Sequence, residues 1–156
     1  MKTSIYIETT IISYLTSRPS RDLRRAAHQE ATCEWWATRA AFDLYVSQLV
    51  VDEAAAGDAG AAALRLEALR GVPRLLLTAD ATALGQDLLR EAALPSKATA
   101  DALHIALAAV HGVDCLLTWN CAHIANATMR PKIEAICRAK GFQPPVICTP
   151  LELMVE

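Results

Sequence analysis

The stretch Ala98-Thr99-Ala100-Asp101-Ala102-Leu103-His104-Ile105-Ala106-Leu107-Ala108-Ala109-Val110, closed by Gly112 and followed by Cys115-Leu116-Leu117-Thr118, decides the fold class. Its first part is apolar almost all round, so it reads as a helix from Lys97 to Val110 that is buried on most faces. Its second part is a fully apolar run of strand length. A strand without polar alternation has no wet face. It fits a parallel sheet covered by helices on both sides.

The rest of the chain repeats that alternation. Ser4–Ile7 is a β-branched and aromatic run that suits a central strand, and Thr9 or Thr10 is placed to cap a short helix through Ile11, Ile12 and Leu15. Ser20 reads as the N-cap of a long helix over 21–41. Leu44–Ser47 is a second strand, followed by helical segments over 49–56 and, capped by Asp58, 59–69. Leu75-Leu76-Leu77 is expected as a third strand, and Thr78 or Asp80 opens a helix to about Ala93. After the opening stretch come a helix over 122–140 with a restart at Pro131, a last strand at Val146–Cys148, and a helical turn at Pro150. With right-handed crossovers these make a three-layer α/β/α sandwich around a parallel sheet, Rossmann-like in outline, within one domain over 1–156.

Composition narrows the function. The 156 residues include 53% hydrophobic and 21% charged, enough for one real core. The net charge of −2 excludes a global basic field, so any nucleic-acid contact must be local. Five scattered cysteines without a C-x-x-C pair read as reduced thiols of a cytoplasmic protein. Cys121 and His123 form a zinc half-site pattern with no second pair to complete it. No apolar stretch is long enough for a signal peptide or a membrane span. Gly57-Asp58-Ala59-Gly60 lies between two helices, which argues against a phosphate-cradling loop.

In a parallel α/β sheet, ligands bind beyond the carboxyl ends of the strands. Glu8 follows the first strand, Glu53 lies one to two turns into the helix after the second, and Asn120 sits just past the Cys115–Thr118 run. Asp101 is the most telling, because a carboxylate in so apolar a helix needs a partner or is forced neutral. Gathered carboxylates repel unless a cation joins them. Hard divalent ions such as Mg²⁺ or Mn²⁺ take oxygen ligands and activate water against phosphodiesters. Taken alone, Glu8 is equally a helix-start carboxylate, while Glu53 reads first as a solvated acid and Asn120 first as a turn residue.

Four segments, Ile5-Tyr6-Ile7-Glu8-Thr9-Thr10, Val50-Val51-Asp52-Glu53, Ala100-Asp101-Ala102-Leu103-His104-Ile105-Ala106 and Leu116-Leu117-Thr118-Trp119-Asn120, resemble the PIN-domain family, in particular the VapC-type toxins of toxin–antitoxin pairs. The resemblance implies the three-layer fold and Mg²⁺- or Mn²⁺-dependent cleavage of RNA. It makes Glu8, Glu53 and Asp101 the metal-binding acids and Thr118 a supporting hydroxyl, with Asn120 assisting. It also implies a homodimer and a small antitoxin partner. The chain departs from the family pattern in having Glu8 where Asp is usual and Asn120 where an acid is common.

The expected function is a metal-dependent endoribonuclease. Its rivals are a catalytically weak PIN-like module that binds RNA or a protein partner, and a different phosphotransfer enzyme with an acidic pocket. Three further features are left with two readings each. His104, one turn after Asp101, either orients that carboxylate or is a satisfied core histidine. Arg18, Arg21, Arg24 and Arg25 either meet phosphates or form a solvated face. Trp119 either stacks on a base or packs at a strand end. In the Trp35-Trp36 pair, one ring is expected in the core and the other on a dimer or partner surface.

Overall fold

The computed structural model describes residues 1–92 and 94–154. Among these, five strands form one parallel sheet: β1 (Thr3–Ile7), β2 (Phe42–Ser47), β3 (Arg74–Leu75), β4 (Cys115–Leu117) and β5 (Val146–Cys148), in the order β3-β2-β1-β4-β5. The helices are α1 (Thr9–Thr16), α2 (Leu23–Ala37), α3 (Gln48–Ala54), α4 (Ala59–Ala68), α5 (Ala79–Glu91), α6 (Thr99–Val110) and α7 (Arg130–Ala139). Helices α1 to α4 pack together as one group and α5 to α7 as another, giving the expected α/β/α sandwich. The expected end of α5 near Ala93 lies outside the described residues.

The centre of the sheet follows from its apolar runs. Ile5, Tyr6 and Ile7 of β1 and Leu116 and Leu117 of β4 are all buried, as strands covered on both faces must be. Ile5 pairs with Cys115 and Ile7 with Leu117, and the ladder continues one step when the Glu8 amide donates to the Leu117 carbonyl at 3.1 Å. That last bond sets Glu8 beside Thr118. Helix α6 is as buried as its sequence implies, and Gly112, with φ at 66°, turns the chain from it into β4.

Several boundaries differ from expectation, each for a local reason. The third strand stops at Leu75, leaving Leu76 and Leu77 exposed. It pairs only with Val46 and Ser47, and β2 ends there to start α3, so no partner remains for the two leucines. Helix α2 begins at Leu23, because Asp22 and not Ser20 accepts the Arg25 amide at 2.9 Å; Ser20 instead accepts from the Asp22 amide. It ends at Ala37, before a 3-10 turn over Arg39–Ala41. Helix α3 is Gln48–Ala54, one residue earlier at its start and two shorter at its end than read, with Ser47 as its cap.

The helix expected over 122–140 is only Arg130–Ala139, with Pro131 in its first turn, where a missing N–H costs nothing. Residues before it form turns, several of them closed by the Asn126 side chain. Trp35 is fully buried, while Trp36 is half-buried against the core edge and covered by the Arg39 guanidinium at 4.6 Å. No helix among the described residues is long and apolar enough to cross a membrane.

Candidate active site

The carboxyl ends of β1, β2 and β4 and the amino end of α6 meet at one edge, because helices return antiparallel to the strands. Every candidate residue from the sequence lies on this edge. Glu8 leaves β1 with extended backbone (φ −80°, ψ 152°) and caps α1 itself, so the cap is Glu8, not Thr9 or Thr10. Its Oε2 accepts from the Thr10 amide at 3.2 Å. Its Oε1 accepts from the Thr10 hydroxyl at 2.5 Å and from the Thr118 hydroxyl at 2.6 Å. Glu8 is 4% exposed, and the positive end of α1 suits its charge.

Glu53 sits near the end of α3. Its Oε1 accepts from the Thr9 hydroxyl and from His104 Nε2, both at 2.7 Å. Burial pushes its carboxyl up, but the hydrogen bond and charge of His104 together with the Thr9 hydroxyl outweigh that, leaving it below the ordinary carboxylate range. His104 is fully buried, and its Nδ1 meets the Tyr6 hydroxyl at 2.7 Å, which meets the Ser47 hydroxyl at 2.7 Å. Burial raises Tyr6, which keeps its O–H in place. So His104 is a satisfied core histidine that also orients a carboxylate. That carboxylate is Glu53, not Asp101.

Asp101 lies in the first turn of α6, where the helix dipole favours a negative charge. It is partly open, with 20% of its side chain exposed, and less deeply buried than its apolar neighbours suggest. Its Oδ1 accepts from Asn120 Nδ2 at 3.0 Å, and its Oδ2 meets His123 Nδ1 at 2.9 Å. Asn120 turns its own carbonyl oxygen to the His123 amide at 3.1 Å, so its side chain closes the loop after β4 and offers Asp101 an N–H. Thr118, fully buried, links the two halves by donating to Glu8 and accepting from the Asn120 amide at 2.9 Å.

The sequence-named residues therefore form one hydrogen-bonded line: Glu53 to Thr9, along the backbone to Glu8, then Thr118, Asn120 and Asp101. His123 completes it. Sequence reasoning considered His123 only as half of a zinc pair and missed its contact with Asp101; the available signal was a histidine three residues past Asn120 in the loop leaving an apolar strand. No zinc set accompanies it, since among the described residues no group of three or more His, Cys, Asp or Glu side chains stands close enough to share an ion. The three acids share an edge without converging on a point.

The donor chemistry nonetheless fits a hard divalent ion. All three acids supply oxygen, and among the described residues none of them pairs with a lysine or arginine. Their charge is met by hydroxyl, amide and imidazole groups and by the starts of α1 and α6, and such oxygen donors suit a hard cation.

A parallel α/β sandwich with carboxylates at the carboxyl edge of its sheet belongs to the class of folds that bind ligands beyond their strand ends. Within that class, the model of the family described as PIN domain matches residues 5–120, more than half of the chain and all three acids. The chain belongs to the PIN-domain family. PIN domains are generally nucleases that act on RNA or other nucleic acids, and they typically use divalent metal ions. A comparison with curated proteins gave no match.

Proposed function

We propose that this protein is a metal-dependent endoribonuclease of the VapC toxin type, acting as a single domain over 1–156 in the cytoplasm, with Mg²⁺ or Mn²⁺ held by Glu8, Glu53 and Asp101. The observation that carries this reading is the line of hydrogen bonds joining the three acids through Thr9, Thr118 and Asn120, with no lysine or arginine among the described residues paired to them. When bound, the ion supplies a polarised water for attack on phosphorus and charge stabilisation for the scissile phosphate. The chain's own residues hold the ligands. Thr118 and Thr10 fix Glu8, His104 and Thr9 fix Glu53, and Asn120 and His123 fix Asp101. A homodimer and a small antitoxin partner belong to the same proposal.

The test is cleavage of a labelled RNA with and without Mn²⁺. Asp101→Asn should abolish cleavage with little loss of fold, since it removes charge and keeps shape; full activity in that variant overturns the assignment.

A second reading, a catalytically weak module that binds RNA or a protein, is favoured by one specific observation. Both Asp101 oxygens are already engaged by Asn120 and His123, and the acids do not converge. Calorimetric titration separates the two readings. Absence of Mg²⁺ or Mn²⁺ binding at millimolar concentrations supports the module.

A further inference from the structure

Beyond the acids, the most organised unassigned surface lies where α1 meets the start of α2. Arg18, Arg21, Arg24 and Arg25 are all exposed there. Among the described residues none of the four is in an ion pair, although exposed arginines elsewhere (Arg70, Arg90 and Arg138) each have a carboxylate three or four residues away. Asp22, the one acid among them, is occupied as the cap of α2. Glu30 and Glu34 lie on the far side of α2 from Thr32, by the turn of about 100° per residue in a helix. In a chain of net charge −2 this is a concentrated local positive field.

Aromatic faces interleave with that charge. The Arg25 guanidinium sits 5.0 Å from the Tyr14 ring centre. His28, on the same face of α2 as Arg25, stacks on Trp119 at 4.1 Å with an 11° interplanar angle, and Tyr14 meets both rings edge-on. Trp119 is buried and tied down, its indole N–H donating to Thr32 at 2.7 Å. That settles its role as packing at the strand end; the half-buried rings of Tyr14 and His28 are the ones at the surface. The Trp119 amide donates to the Thr10 hydroxyl, which itself donates to Glu8. The aromatic line thus runs into the acidic edge. The α1–α2 turn is held as well, with Gln29 bonding Ser17, the Arg18 carbonyl and the Ser20 amide at 2.7 to 2.9 Å.

We infer that Tyr14, His28 and the arginines 18, 21, 24 and 25 form a binding track for a single-stranded RNA segment flanking the bond presented to the acids. The inference rests on the nuclease reading for its substrate class, and adds to it where the strand lies. Arginines meet phosphates and the rings take base faces, the combination that single-strand binders use. An acidic protein segment would use the charge but has no need of the rings beside the acids, which favours RNA.

The test is binding of a short, fluorescently labelled single-stranded RNA in EDTA, followed by anisotropy, so that no cleavage enters the measurement. R21Q/R24Q/R25Q should lose affinity by about tenfold or more at low salt. Its slope of log affinity against log salt should flatten by roughly 2, at about 0.7 per lost phosphate contact. R70Q/R90Q/R138Q, with the same change in net charge at distant exposed sites, should change affinity by less than about twofold. Tyr14→Ala should cost about fivefold or more, and Tyr14→Phe should restore most of it. Equal losses in the two triple variants, no change in either, or no binding by the wild type overturns the track. Arginine-dependent binding without Mn²⁺-dependent cleavage leaves the track standing and removes the nuclease chemistry, and cleavage indifferent to these arginines does the reverse.

Discussion

His104→Leu tests the part of the site that the fold has built most completely. The imidazole is fully buried between Glu53 and Tyr6, with 2.7 Å contacts on both ring nitrogens. Its bond to the Glu53 carboxylate is charge-assisted but a third exposed to solvent on the glutamate side, so about 1.5 kcal/mol is a fair value after screening. The Tyr6 bond contributes about 1 kcal/mol. Leucine returns about 0.5 kcal/mol by sparing a polar ring its desolvation, and the net cost is about 2 kcal/mol. Glu53→Ala leaves the buried Nε2–H without an acceptor and should also cost about 2 kcal/mol.

If His104 and Glu53 act on each other, the double variant must fall short of the summed losses by about 1 to 2 kcal/mol, because the pair can be broken only once. Equilibrium urea unfolding followed by circular dichroism measures all three values. Additivity within about 0.5 kcal/mol would refute the coupling. A second reading separates positioning from mere support: His104→Leu should weaken Mn²⁺ binding about tenfold in calorimetry, the usual effect of removing a group that orients a ligand. A variant that is destabilised yet binds Mn²⁺ like the wild type refutes the positioning role.

Two further outcomes follow from features away from the acids. Cys33 and Cys121 are exposed while Cys115, Cys137 and Cys148 are buried, and burial pushes the Cys137 thiol up to about 11. A thiol reagent at neutral pH should therefore label Cys33 and Cys121 quickly and Cys137 only on unfolding, with peptide mapping as the check. Asp114 accepts from both the amide and the hydroxyl of Ser4 at 2.9 Å, and these two bonds hold its carboxyl below the ordinary range. A lowered folded value means the stabilisation is present above the unfolded carboxyl range and is lost as pH falls through the folded one. The stability gap between wild type and D114N should accordingly close on acidification, and a gap that stays constant to low pH refutes the assignment.

Much of the architecture was legible because local patterns carry it. The apolar runs of β1 and β4 and the almost wholly apolar α6 leave few alternatives to a covered parallel sheet. The placing of Glu8, Glu53, Asp101, Thr118 and Asn120 on one edge was legible too, since Glu8, Thr118 and Asn120 follow strands, Glu53 lies near the end of α3 and Asp101 in the first turn of α6; their roles belong to the proposal. What escaped was set by partners distant in sequence. Leu76 and Leu77 look like strand, and only the early end of β2 leaves them unpaired. The choice of Asp22 over Ser20 as a cap turns on a difference of two residues in where α2 starts. His104 finds Glu53 across 51 residues and His123 finds Asp101 across 22, contacts that no local period records.

The bond between Thr118 and Glu8 spans 110 positions. Glu8 is made 110 residues before Thr118, so a growing chain carries the acid long before that hydroxyl can hold it. Nor can Tyr6, Ile7 and Glu8 acquire their neighbours on one side until β4 has been synthesised and slotted in beside β1. A fragment that ends between α6 and β4 has the three carboxylates and lacks Thr118 and Asn120, which hold Glu8 and Asp101. The hydrogen-bonded edge is thus whole only once β4 and the residues after it stand beside β1.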